Sequence, residues 1–373
     1  SASFSHCKSA EVGDCPLCKR TVKFIFYYFA LIFHYLDGRD ILSQLILGIT
    51  EKGILYKDQN RAIDLDTRFR MVKESGIFDY YDKTPEDPSL LDDYLRASEK
   101  YDIPILAGGW TYQLGSDEQL FKDKLQLSAK LGSKVHNTQI RMRHADGHLV
   151  SDEEVFRFYM EAAELGERCG CYPTLEVHIK MWSEDYRRVS TVANMVEDHG
   201  IPFRMTLDHS HVIFKIDNEV EQRVFDIKSA IDSGDLVLDP FEQGSICQEW
   251  INRGFVNHCH ARTAVPNNPK NTCYTYPDGS PGRGVQYPFL APEPGQFPGE
   301  WAEYKLEPWK EVVRQLLRHH AANEDSKLGQ ISTEFIPGPD YGRGHGYSMF
   351  DNSVACARWI KATWESIIKE DDR

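Results

Sequence analysis

From about residue 43 the chain alternates between short apolar runs and longer amphipathic stretches. Leu45-Ile46-Leu47-Gly48-Ile49 reads as a buried strand, and a helix beginning near Asp64 places Leu65, Phe69 and Val72 on one face and stops at Gly76. The couplet then repeats. Strand 78–82 precedes helix 88–101, strand 103–107 precedes helix 116–131, and strand 135–142 precedes a helix capped by Ser151, with Glu154 completing a capping box, that runs to Arg168. A fifth strand, 174–180, alternates Glu176, His178 and Lys180 on one face with Leu175, Val177 and Ile179 on the other. Helix 184–199, strand 202–208, helix 220–231, strand 254–260, an irregular stretch at 262–304, helix 308–320, strand 330–335 and helix 351–368 complete the series. No hairpin turn signal joins successive strands. Eight strands, each followed by a helix, predict an α/β fold of the (β/α)8 TIM-barrel type with a long insertion after the seventh strand and an active site at the C-terminal strand ends.

Composition narrows the functions open to such a barrel. The 373 residues suit one large domain over 43–373, and 41% hydrophobic residues can fill its core. Lys plus Arg number 43 against 57 Asp plus Glu, a formal charge of -14, which argues against a nucleic-acid partner because phosphate contacts need a positive surface. Nine cysteines in so long a chain do not make a disulfide scaffold, and Cys169, Cys171, Cys247, Cys259 and Cys356 fall in predicted core elements, so a reduced, cytoplasmic protein is expected. Residues 1–42 are set apart as an N-terminal extension. They hold Cys7, Cys15 and Cys18, a basic cluster at Lys19, Arg20 and Lys23, and the apolar run 24–33. One Cys-x-x-Cys pair is weak support for zinc, the apolar run is too short to span a bilayer, and no small-residue cleavage site follows it. No membrane partner is therefore expected, and a homo-oligomer is compatible with the sequence.

Candidate chemistry gathers at the ends of the last four strands. A carboxylate on an inward strand face is costly unless paired, and Glu176, Asp208, His260 and Glu334 all fall at or near the C-terminal ends of strands five to eight. In a closed barrel those ends line one rim. Three carboxylates there would repel one another, and a divalent cation removes the conflict. Mostly oxygen ligands with one imidazole suit manganese, magnesium or cobalt better than a structural zinc site. Taken singly, each residue could equally be a salt-bridged acid or a satisfied core histidine. Their coincidence at four strand ends favours the shared centre.

Glu176, then Asp208-x-x-His211, then His260, then Glu334 resembles the xylose isomerase-like TIM-barrel superfamily of sugar isomerases and epimerases, over about residues 43–370. The superfamily also includes dehydratases and endonuclease IV. The resemblance implies Glu176, Asp208, His260 and Glu334 as ligands of one divalent metal; manganese is the ion expected there, with magnesium, cobalt or zinc as alternatives. It implies His211 as a substrate contact and places Arg262 where relatives often carry a basic residue. It also implies a sugar or keto-sugar substrate, deprotonated α to its carbonyl through an enediolate, with Glu176 and Glu334 as the natural proton-transfer pair. The runner-up is elimination, as in dehydratases or in lyases acting on 3-keto glycosides. Endonuclease IV needs further early-strand histidines, which are missing at 82–85 and 108–110.

Two departures bear on the reaction. Ketose epimerases usually carry another Glu six residues after the first metal Glu, where this chain has Trp182, read as a sugar-stacking or a packing residue. His178 reads as a base, a support for the metal shell, or a buried hydrogen-bonded histidine. The aromatic-rich insertion at 262–304 is expected to be a lid, with an interface or packing segment as the alternative. The glycine-rich stretch 338–344 leaves strand eight without any nucleotide-binding pattern.

Overall fold

The structure, a computed structural model, describes residues 45–55 and 63–371. The expectations for residues 1–42 lie outside those residues. Eight parallel strands close into a barrel: β1 (Ile46–Thr50), β2 (Tyr80–Asp82), β3 (Ile105–Tyr112), β4 (Val135–Ile140), β5 (Tyr172–Glu176), β6 (Met205–Leu207), β7 (Val256–Ala261) and β8 (Gln330–Thr333). Each pairs with its neighbours in sequence, and β1 closes on β8 with Gly48 level with Ser332. Gly48 matters there, because a Cβ would lie 2.3 Å from the Tyr80 ring, which fills the interior beside it. The tyrosine hydroxyl meets Ser332 Oγ at 2.7 Å.

The helices follow from their caps and stripes. Helix α1 (Leu65–Ser75) starts at Asp64, whose carboxylate accepts from Thr67 N, and ends at left-handed Gly76. Next come α2 (Leu91–Tyr101), α3 (Glu118–Leu131) and α4 (Asp152–Cys169). The Ser151–Glu154 capping box of α4 forms as expected, and such a cap is worth about 1 kcal/mol. Helices α5 (Tyr186–Asp198), α6 (Ile246–Asn252), α7 (Glu307–Ala322) and α8 (Met349–Asp371) complete the outer layer. Among the described residues no helix is long and apolar enough to cross a membrane.

Several boundaries depart from the periodicity. Strand β3 runs five residues beyond Ala107, because Gly108-Gly109-Trp110 continue the ladder with β4. Strand β5 ends at Glu176, and the chain then turns, with Lys180 at φ 64. Lys180 therefore shares no strand face with Glu176. The predicted helix 220–231 is broken into Glu219–Gln222 and Ile227–Ser233 by positive φ at Phe225 and Asp226. Helix α6, only seven residues long and capped by Ser245, was not foreseen. Within the insertion, Asn271–Thr275 pairs antiparallel with Pro281–Gly282.

That insertion is tied down by ions. Arg283 reaches both Glu184 and Glu221, Lys270 reaches Glu221, and fully buried Lys215 meets Glu184 at 2.9 Å. Lys180 is held by Asp340 at 2.5 Å and by the Tyr276 hydroxyl at 2.8 Å. Val285, Tyr287 and Phe297 join the main core. Much of the predicted lid is thus a packed wall, with its exposed tip near residues 277–281.

Candidate metal centre

Glu176 is the last residue of β5, Asp208 and Glu334 directly follow β6 and β8, and His260 is the penultimate residue of β7. Strand geometry thus brings four side chains to one rim. One donor atom from each lies within 4.8 Å of the others. His260 Nδ1 is 3.0 Å from Glu176 Oε1 and 3.2 Å from Glu334 Oε2. Asn137 and Gln139, successive inward residues of β4, donate to Glu176 Oε2 at 2.7 and 2.5 Å and leave Oε1 facing the centre. Asp208 Oδ1 accepts from Ser210 N and Oγ, at 3.1 and 2.5 Å.

Arg262 lies against the same centre, fully buried. Its Nη1 is 2.7 Å from Asp208 Oδ2, its Nη2 pairs with Glu334 Oε2, and its Nε donates to the Glu334 carbonyl at 3.0 Å. His211 Nε2 sits 3.1 Å from Arg262 Nη1 and 3.2 Å from Asp208 Oδ2. Burial, followed by the Arg262 charge, drives the His211 imidazole far below its usual range, so it stays neutral.

His178 is built differently from the strand-face reading. It lies beyond the end of β5, where Nδ1 donates to the Ile179 carbonyl at 2.6 Å and Nε2 accepts from the Tyr341 hydroxyl at 2.9 Å. Burial, with His211 adding to it, lowers its pKa to about 4. Tyr341 itself stacks over Arg262, the guanidinium carbon 4.3 Å from the ring centre, and packs against His211. Trp182 takes the packing place: it is 1% exposed, donates to Asp152 Oδ1 at 3.2 Å and carries the Arg188 guanidinium against its ring. That leaves its ring no open face for a sugar.

The donor set fits a divalent ion. With a neutral, ligating His260, three carboxylates against Arg262 leave two uncompensated negative charges in a buried site. The protein's own electrostatics register that excess. Burial pushes the Asp208 carboxyl up. For His260, burial alone would favour the neutral ring, but Glu334 and Glu176 outweigh it and raise its pKa well above the ordinary value. Glu334 goes the other way: burial raises it, yet Arg262 and His260 together bring it well down. The residues that would hold the ion are Glu176, Asp208, His260 and Glu334.

Sequence reasoning missed the supporting groups. Asn137 and Gln139 alternate inward on β4, a signal present in the strand period, whereas Tyr341 was visible only as part of the glycine-rich stretch 338–344. His258 was also missed. It lies 3.6 Å from Asp82 Oδ2 on the far side of His260, whose Nε2 is 3.5 Å from that same oxygen.

Comparison with solved structures settles the architecture. A xylose isomerase-like TIM barrel/4-hydroxyphenylpyruvate dioxygenase fusion protein superposes with TM-score 0.52 at 12% identity, covering 88% of this chain and 45% of that one. The fold is that of the xylose isomerase-like TIM barrels. Two further barrels of this kind are a D-allulose 3-epimerase from Methylomonas sp. (TM-score 0.51, 11% identity, 86% of this chain and 98% of that one) and an L-ribulose 3-epimerase (TM-score 0.50, 11%, 88% and 97%). No protein-family model matches the sequence, and no curated protein matches it. At these identities the xylose isomerase-like barrel is shared as a fold, and the chemistry has to be argued from this chain's own residues.

Proposed function

We propose that the protein is a divalent-metal-dependent isomerase or epimerase of a sugar, polyol or keto-sugar, acting by proton transfer at the carbon next to a carbonyl. One observation carries the reading: four donors from four successive strand ends converge within 4.8 Å beside a buried arginine. An ion held there supplies Lewis-acid polarisation of the carbonyl.

The chain's own residues do the remaining work. Glu176 and Glu334 flank His260 from opposite strands, so one carboxylate is placed to take the α-proton and the other to return one. Return to the opposite face epimerises, and return to the neighbouring carbon isomerises. Such proton transfer typically contributes ~10²–10⁴-fold. Arg262 is permanently charged and oriented by two carboxylates, so it binds a substrate oxygen as negative charge builds on it. Neutral His211 offers its Nε2 beside that guanidinium. Burial of Asp208, His211 and Arg262 keeps bulk water away from the reacting carbon. D-allulose and L-ribulose 3-epimerases share the barrel, which makes free ketoses the first substrates to try.

Elimination is the competing reading, favoured by two observations. Position 182 carries a buried tryptophan in place of a carboxylate, and the Tyr341 hydroxyl donates to His178, whose ring packs on His211. A leaving oxygen protonated from that side would end the reaction in loss of water or of an alcohol. The discriminating experiment incubates manganese-loaded protein in D2O with ketoses, inososes and 3-keto glycosides and follows the α-proton by NMR. Chelator-sensitive exchange with recovered sugar supports epimerisation or isomerisation, an unsaturated product supports elimination, and the absence of exchange across the panel counts against both.

A further inference from the structure

A second group of metal-type donors lies away from the centre just described. After β4 the chain forms a narrow hairpin closed by the Arg143–Leu149 bridge, and Gly147, at φ 98, makes its turn. His144, Asp146 and His148 alternate along it, and one donor atom from each lies within 4.8 Å of the other two. Asp146 Oδ1 is the hub: it is 3.2 Å from His144 Nδ1 and 2.5 Å from His148 Nδ1. The two rings stack at 22° with centroids 4.6 Å apart, so both Nδ1 atoms point to the same carboxylate.

Each ring is fixed from outside the trio. His148 Nε2 meets Glu154 Oε1 at 2.9 Å, and Glu154 is itself held by the nitrogen and hydroxyl of Ser151 in the α4 capping box. A carboxylate on the far nitrogen of an imidazole is the arrangement that orients metal-bound histidines, because it keeps a proton on Nε2 when an ion replaces the proton that Nδ1 shares with Asp146. His144 lies flat on Gly115, where a Cβ would come within 2.3 Å of its Cε1 and Nε2, so that only a glycine admits the ring. The His144 backbone is anchored as well, its N to the His148 carbonyl at 3.0 Å, while the neighbouring Ala145 N reaches the Leu114 carbonyl at 2.8 Å. Arg143 Nη1 donates to the Gly147 carbonyl at 2.7 Å, across the turn of the same hairpin.

We propose that His144, Asp146 and His148 form a second metal site, selective for a zinc-like divalent ion, on the loop between β4 and α4. Two imidazole nitrogens and one carboxylate oxygen favour zinc, nickel or copper over magnesium or calcium, which prefer oxygen ligands throughout. The 3.2 Å pair matches ligands roughly 2.0–2.1 Å from a common ion, and the 2.5 Å pair would open by about half an ångström to receive one. Asp146 and Glu154 together balance a divalent charge. Both histidines remain reachable from solvent, with side-chain exposures of 24% and 46%, so the remaining coordination positions would be filled by water. Bound there, the ion ties the two arms of the hairpin together.

The test is a zinc titration of tag-free, metal-stripped full-length protein, monitored by competition with a chromophoric chelator and repeated in excess magnesium. The parent should bind one more equivalent of zinc than the His144→Gln/His148→Gln double variant, and magnesium should not compete for that equivalent. The same equivalent should persist in His260→Ala, which keeps this site separate from the centre at the strand ends. Cobalt substitution should give a visible absorption band that is lost in Asp146→Asn, and zinc should raise the melting temperature of the parent more than that of the double variant. An unchanged stoichiometry in the double variant, with that variant's unfolding cooperative like the parent's, would overturn the proposal. So would non-saturating, magnesium-sensitive binding, which would mark an adventitious ion only.

Discussion

Replacing Glu184 with Gln removes one charge from the buried ion cluster that fastens the insertion to the loop after β5. Glu184 is 2% exposed and is shared by Lys215, itself fully buried, and by Arg283. Burial pushes the Glu184 carboxyl up, but the Arg283 hydrogen bonds and the Lys215 charge outweigh it and bring the pKa from 4.5 to about 2. That difference corresponds to about 3 kcal/mol at pH 7, in the range for breaking a buried ion pair. The sign follows from the direction of the shift. A carboxylate depressed in the folded state contributes fully above its unfolded pKa, and the contribution drains away as pH falls from 4.5 towards 2. At pH 3 somewhat under half of it should remain. The assay is urea denaturation of parent and Glu184→Gln at pH 7 and at pH 3, read by fluorescence. The variant should be less stable at both, and the gap should roughly halve at the lower pH. A gap that does not change with pH would refute the electrostatic account and assign the loss to packing alone.

Three further outcomes follow. Glu334→Gln should lower turnover by ~10²-fold or more, because it removes a proton-transfer group without changing its volume, and should also cost stability, because buried Arg262 loses a partner; full activity would sink its assigned role. His260→Ala should lose the bound ion on dialysis, measured by metal analysis, since it removes the one imidazole in that donor set. Trp182→Phe should leave KM for any substrate unchanged and cost about 1 kcal/mol of stability through the lost Asp152 hydrogen bond. A large rise in KM would instead place the indole against substrate.

The barrel was legible because its apolar runs and amphipathic stretches alternate so regularly that errors at the edges do not disturb the count. Asp208 and Glu334 could be singled out because acids at the ends of apolar runs are conspicuous. What failed was anything needing the path of the chain beyond a strand end. His178 was assigned to Glu176's strand face on alternation alone, and the turn carrying Lys180 at φ 64 breaks that alternation. Trp182, two residues beyond Lys180, lies in the core against Asp152 and Arg188, contacts set by the packing of α4 against α5. Asn137 and Gln139 reach Glu176 only through the register of β4 against β5, in which Asn137 lies level with Thr174. Tyr341 comes to His178 across 163 residues of sequence, a distance that no local pattern reports.

All four donors of the strand-end centre stand on or directly after β5 to β8, the second half of the barrel, while β1 to β4 contribute supports such as Asn137, Gln139 and Tyr80. The molecule is therefore divided between a half that supplies the donors and a half that braces them. Loops after the first three strands carry none of the donors described above, and the loop after β4 carries only those of the hairpin at 143–149. Replacing the loop after β1, β2 or β3 should therefore alter the walls around the centre and leave all four of its donors in place.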